Sequence, residues 1–242
     1  MTRRESNREA KKTIQFKLLY SGTLKRAQEN QSPIRIIGVE EVSPDDQMDK
    51  IGIPIDFNSD WLHIKFVDMD RYAFDGFVIA KRFCIKKLSS RFSKDELLRK
   101  VLKAKKKRTN EGLPLTKIPL KSIREIVNAI TKRYTLVVFS LRRKGDVCFI
   151  GRPFRFHKNN DLTIRLITPL AKWRGLMRIK ASDIRDISYG GGYEESLALA
   201  SKTNSKKRRE NRHIRYLAFR DTRRRGPPLF LPGIASNRRS PE

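Results

Sequence analysis

Ile51-Gly52-Ile53-Pro54-Ile55-Asp56-Phe57 and Ile150-Gly151-Arg152-Pro153-Phe154-Arg155-Phe156 are two versions of one stretch, 99 residues apart. The likeness runs on downstream. Leu62-His63-Ile64-Lys65-Phe66-Val67 aligns with Leu162-Thr163-Ile164-Arg165-Leu166-Ile167, and Gly76, Ile85 and Leu88 align with Gly175, Ile184 and Ile187. The offset moves only between 99 and 100, as one short indel on each side of the middle segment would produce. A repeat of this length is a duplicated domain, because solenoid units recur every roughly 20–50 residues.

Both copies read as strands. In the second, Leu162, Ile164 and Leu166 alternate with Thr163 and Arg165. In the first, Leu62, Ile64 and Phe66 alternate with His63 and Lys65. Period-two alternation over short runs marks half-buried strands. Turn residues at Ser43-Pro44-Asp45-Asp46, Asn58-Ser59-Asp60, Lys144-Gly145-Asp146 and Asn159-Asn160-Asp161 separate them. The expected strands are 34–41, 50–57, 61–67, 76–81 and 84–88, then 135–142, 147–157, 161–168, 175–180 and 184–188. Five short antiparallel strands per copy predict a small closed barrel, which removes sheet edges. The fold class expected is therefore mainly β with α, as two tandem five-stranded barrels with flanking helices and basic terminal arms.

Helices are predicted around the barrels. Ser93 and Glu96 make a capping box with Phe92 and Leu97 as its staple, opening a helix to about residue 107 that buries Leu97, Leu98, Val101 and Leu102. A second helix over 120–133 places Ile123, Ile126, Val127 and Ile130 on one face, and a third over 192–201 carries Tyr193, Leu197 and Leu199.

Charge is distributed unevenly. The 242-residue chain has a net charge of +29 and a pI near 10.6, which calls for a polyanionic partner. The basic N-terminal arm 1–31 carries +5, the first barrel 32–92 carries −1, and the basic helical connector 93–133 carries +9. The second barrel with its C-terminal helix spans 134–201, with +6 over 134–200, and the tail from 201 to 242 carries +10. The tail proper, 202–242, has a composition expected to be disordered when free. Cys84 and Cys148 make no disulfide framework; both lie in apolar, strand-like surroundings and fit buried thiols in a reducing cytoplasm. The first residues lack a secretory apolar stretch, and no apolar run reaches bilayer-spanning length.

A helix leading into five short strands, with Arg174-Gly175 at the turn into the fourth, resembles an Sm-like barrel and, more broadly, an SH3-like one. Asp146-Val147-Cys148-Phe149-Ile150-Gly151, Ser182-Asp183-Ile184 and Gly191-Gly192-Tyr193-Glu194-Glu195-Ser196-Leu197 resemble a group of uncharacterised bacterial proteins with paired barrels of this kind. The resemblance covers residues 32–200 and implies the paired architecture; it carries no established activity. The asparagine of the first Sm motif has no clear match, since Asp60-Trp61 and Asn160-Asp161 occupy that region.

The candidate site is the basic face of the second copy. If Phe154, Phe156, Leu162, Ile164, Leu166, Met177 and Ile179 point inward, then Arg155, His157, Arg165, Arg178 and Lys180 point outward, beside Arg142-Arg143-Lys144. Guanidinium and ammonium groups so spread match phosphates and bind them with counterion release. The first-copy positions are Asp56, Asn58, Lys65, Val78 and Ala80, which do not. Trp173, in a loop beside Lys172 and Arg174, either stacks on a base or caps the barrel. Lys206, Lys207, Arg208, Arg209, Arg223, Arg224 and Arg225 form basic clusters in the tail that suit nucleic acid.

Other chemistry has little footing. Asp68-Met69-Asp70 with Asp75 reads as a turn, and His63, His157 and His213 share no metal-ligand spacing with the cysteines. Phosphate loops, dinucleotide fingerprints and nucleophile elbows are missing from the sequence. Gly190-Gly191-Gly192 turns the chain toward a helix. The expectation is a non-enzymatic nucleic-acid-binding protein without cofactor or metal, with RNA ahead of DNA. The alternative is an adaptor or immunity-type regulatory partner of an acidic protein, docking through the neutral first copy.

Overall fold

The repeated glycine and proline have a local explanation in each copy. A Cβ on Gly52 would lie 2.5 Å from the Lys65 carbonyl oxygen, and one on Gly151 would lie 2.4 Å from that of Arg165. Only glycine lets these paired strands approach so closely. Pro54 and Pro153 sit where the register slips, between Pro54 and Asp56 and between Pro153 and Arg155. A residue without a backbone N–H fits a bulge, where the ladder is already broken.

The computed structural model describes residues 20–38, 49–91, 95–108, 117–142 and 147–203. In the first copy the strands are β1 (Ile34–Gly38), β2 (Asp49–Phe57), β3 (Trp61–Asp68), β4 (Ala73–Lys81) and β5 (Ile85–Ser89). The second has β6 (Val137–Leu141), β7 (Cys148–Phe156), β8 (Leu162–Ile167), β9 (Trp173–Ile179) and β10 (Ile184–Tyr189). Matching 3₁₀ turns, Arg82–Cys84 and Ala181–Asp183, precede the fifth strand of each. Among the described residues the helices are α1 (20–29), α2 (Asp95–Arg108), α3 (Ile123–Thr131) and α4 (192–203). Ser122 caps α3, its hydroxyl accepting from the Glu125 N–H at 3.2 Å. Ser93 and Phe92 of the expected α2 cap lie outside the described residues.

Two separate closed barrels are not what forms. All ten strands join one antiparallel sheet in the order β5-β1-β2-β3-β4-β10-β6-β7-β8-β9. Each half keeps the same internal order, first to fourth strand with the fifth beside the first. The free side of β4 is taken by β10 of the other half, through Ala80–Asp186, Ile79–Ile187, Val78–Ser188 and Phe77–Tyr189. The sheet therefore stays open, with β5 and β9 as its edges.

This junction explains burial that alternation did not foresee. Leu62, Ile64, Val78 and Ala80 line the first core with Leu24 and Ala27 of α1. Trp61, Phe77 and Ile79, on the opposite face, enter the second core with α3, Phe139, Ile187 and Tyr189. Strands β3 and β4 are thus covered on both sides, and His63 is buried rather than outward. The helices repeat as well. α2 packs Leu98 and Leu102 on Ile51, Val67 and Phe74, while α4 packs Leu197 on Ile150, Ile167 and Trp173. The Lys65 ammonium over the Phe74 ring, at 3.9 Å, is echoed by the Arg165 guanidinium over Trp173, at 5.1 Å.

Some burial expectations fail for geometric reasons. Leu97 is exposed because a single face of α2 meets the sheet, that of Leu98 and Leu102. Cys148 is exposed because it opens β7 at the end of the ladder; Cys84 is buried, and both are free thiols. Helix α1 falls within the expected basic arm; its apolar residues are too few for a sequence-level helix but enough to close the first core.

The glycines aligned by the repeat have opposite surroundings. Gly76 has φ +78°, and a Cβ there would lie 2.6 Å from the Tyr189 carbonyl oxygen and the Gly191 nitrogen, whereas one on Gly175 meets nothing within 4 Å. Gly76→Ala is expected to cost about 2–4 kcal/mol in urea unfolding, against under about 1 kcal/mol for Gly175→Ala. Equal costs would contradict the junction.

His63 supplies a pH test. Its Nε2 lies 2.7 Å from the Tyr189 hydroxyl oxygen, and burial pulls its pKa from 6.5 down to about 4. The unfolded chain thus binds a proton that the folded one refuses between these values. The contribution of His63 to stability is expected to be flat above pH 6.5, to fall toward pH 4 by about 3 kcal/mol, and to level below. The stability difference between wild type and His63→Phe should carry this dependence; a pH-independent difference would refute it.

Candidate nucleic-acid interface

The register of β7, β8 and β9 decides which side chains share a surface. Arg152 lies opposite Arg165, which lies opposite Leu176. Arg155 lies opposite Thr163, which lies opposite Arg178. Directly opposed residues project on the same side of a sheet, and so do Thr163 and Arg165 two apart on β8. Arg152, Arg155, Arg165 and Arg178 therefore share one outer face, and all four are exposed. At one end α4 covers that face over Ile150, Ile167 and Trp173. Arg174 and Lys180 are exposed further along β9 and just after it.

The arginines are held in different ways. Arg178 donates from Nε to Asp161 at 3.1 Å and pairs through Nη2 at 3.0 Å. Burial works against the Asp161 charge, but hydrogen bonds from Asn159 and Arg178 hold its carboxyl below the usual range. Arg165 lies over the Trp173 ring. Arg178 and Arg165 are thus fixed in direction, which spares some of the ordering cost of gripping an anion.

The other expected site residues are placed apart from this face or differently on it. Trp173 lies in β9 rather than a loop, half-buried beneath α4, because that strand starts two residues earlier than the alternation indicates. His157 is half-buried, its Nε2 2.8 Å from the Thr163 hydroxyl oxygen, while its carbonyl accepts from Arg124 Nη2 at 3.0 Å. Arg142 follows β6, its guanidinium 4.9 Å from the centre of the Phe83 ring. Arg143 and Lys144 lie outside the described residues, as do Lys206, Lys207, Arg208, Arg209, Arg223, Arg224 and Arg225.

Phe154 is a correction. Instead of pointing inward it is 67% exposed, because the slip between Pro153 and Arg155 interrupts the alternation that would have turned it to the core. Phe156 stays half-buried against the second core, with the Arg124 guanidinium 5.0 Å from its ring centre. Arg152 was missed, although the repeat offered the signal: it stands where the first copy has Ile53. The register corrects two of the expected counterparts: Arg178 stands where the first copy has Ile79 rather than Val78, and Lys180 where it has Lys81 rather than Ala80, while Asp56, Lys65 and Asp75 match Arg155, Arg165 and Arg174.

The acidic stretch makes structure. Asp68 Oδ1 accepts from the Asp70 N–H at 2.9 Å, and Asp75 Oδ1 accepts from the Gly192 N–H at 2.7 Å. The second contact places a first-copy carboxylate at the N-terminus of α4. Among the described residues no three His, Cys, Asp or Glu side chains could hold a metal ion together, and no helix is long and apolar enough to cross a membrane. Compared with protein families, curated proteins and solved structures, the chain matches none.

Proposed function

We propose that this is a non-enzymatic nucleic-acid-binding protein that grips phosphates with the outer face of its second half. One observation carries the reading: the sheet surface whose first-half positions, Ile53, Asp56, Lys65, Asp75 and Ile79, are mixed in character and buried or half-buried bears the exposed Arg152, Arg155, Arg165, Arg174 and Arg178 in the second half. Packing against the second half accounts for the covered positions of the first, but it does not call for arginines on the open face of the second. An exposed set of arginines spread over three strands suits a chain of phosphates, with contacts that position more than they specify. The tail would add non-specific affinity through its Lys/Arg clusters. RNA is the expected partner ahead of DNA, and two free thiols suit a reducing compartment such as the cytoplasm.

The strand order supports reading each half as an Sm-like or SH3-like module that shares an edge with its twin instead of closing on itself. An adaptor would use the neutral first half, but the outer side of its β3 and β4 is occupied by the second half. That favours nucleic acid.

Replacing Arg152, Arg155 and Arg174 together by Gln should weaken RNA binding and lower the slope of log K against log salt by about 2–3. Lys86→Gln with Lys87→Gln, on exposed lysines of β5, should leave the affinity near that of wild type. Equal losses from both sets would reduce the effect to net charge and overturn the assigned face. Deleting 202–242 should lower the slope further; an unchanged slope would remove the tail from the reading.

A further inference from the structure

A face built only to meet phosphates has no use for bare apolar side chains. This one presents two: Phe154 is 67% exposed and Leu176 is 58% exposed. Their first-copy counterparts show what such positions do when covered. Ile55 packs against the cluster of Trp61, Phe77 and Ile79, and the Phe77 ring stacks on Tyr189 with centroids 5.2 Å apart. In the second half no described residue takes that covering role, and arginines surround the pair. Arg152 and Arg155 flank Phe154 along β7, and Arg165 lies opposite Leu176.

We propose that this face takes single-stranded nucleic acid, with a base stacked on Phe154, Leu176 supporting its apolar side, and the neighbouring phosphates on Arg152, Arg155 and Arg174. The inference rests on the nucleic-acid reading above and narrows its ligand. Duplex bases are already stacked on one another and would leave Phe154 against water. A single strand offers an unstacked ring and a phosphate together. Trp173, the more obvious aromatic, is not the platform: α4 packs on it and Arg165 lies over its ring.

A second copy of the chain fits the face less well. By the repeat, β5 of another molecule would approach β9 as β10 approaches β4. It would place Lys87, at the position of Asp186, opposite Ile179, and Lys86, at the position of Arg185, beside Lys180. Like charges would then confront each other across the pairing.

The test is fluorescence anisotropy of the full chain with a labelled oligouridylate, an oligothymidylate, an abasic strand and an RNA duplex of equal length. Phe154→Ala should weaken binding to the two base-bearing single strands by roughly 5- to 100-fold, with the salt slope unchanged. Binding to the duplex and the abasic strand should hardly change, and Phe154→Tyr should restore the single strands. Equal losses on all probes, or none on the single strands, would overturn the stacking proposal. If the triple Arg variant loses affinity while Phe154→Ala does not, stacking alone falls. If wild type binds no probe at low salt, the nucleic-acid reading falls with it. Sedimentation of both proteins completes the test: an oligomer dispersed by Phe154→Ala without loss of nucleic-acid binding would assign the face to a second copy.

Discussion

The pairing of β4 with β10 is the contact on which the rest depends. It joins two five-stranded halves into one sheet and carries Trp61, Phe77 and Ile79 of the first half into the core of the second. Apolar burial on that scale outweighs the cost of enclosing His63, which remains neutral beside Tyr189. Burial above all, then the neighbouring Tyr134, pushes the Tyr189 hydroxyl far above its ordinary pKa, so it too stays uncharged. The junction also buries an ion pair on β10, Arg185 Nε to Asp186 Oδ2 at 2.9 Å, with the Ser140 hydroxyl donating to the other Asp186 oxygen.

The two outer faces follow from that junction. In the first half much of the face meets a fixed neighbour, so Phe77 and Ile79 are packed there and Asp56, Lys65 and Asp75 are half-buried. In the second half it meets solvent beyond the reach of α4, and arginines can be accommodated with little packing penalty. The charge asymmetry and the packing asymmetry are one fact seen from two sides. The Asp75 and Arg174 positions show it in miniature: the carboxylate is engaged with the Gly192 N–H, and the guanidinium is open.

Most strands were legible in the sequence because alternation and turn residues act locally. The repeat also located the glycine and proline whose roles lie in close strand approach and a bulge. Sheet closure was not legible, since nothing in the residues of β4 says whether its free side meets β5 or β10. Covering both faces of β3 likewise required knowing the neighbour, so His63 passed for an outward residue. On the site, Arg155, Arg165 and Arg178 could be read from the period, whereas Phe154 could not. A one-residue slip turns an inward position outward, and period-two reasoning has no means of sensing it.

Joining the halves by one chain also changes the order of the reaction that brings them together. Were β4 and β10 on separate molecules, their meeting would depend on protein concentration. Within one polypeptide the partner is always present at a high effective concentration, and dilution does not separate the pair. A homodimer would further require a single sequence to serve as both the covered and the open face. Duplication lifts that constraint, so each copy holds a face suited to one role.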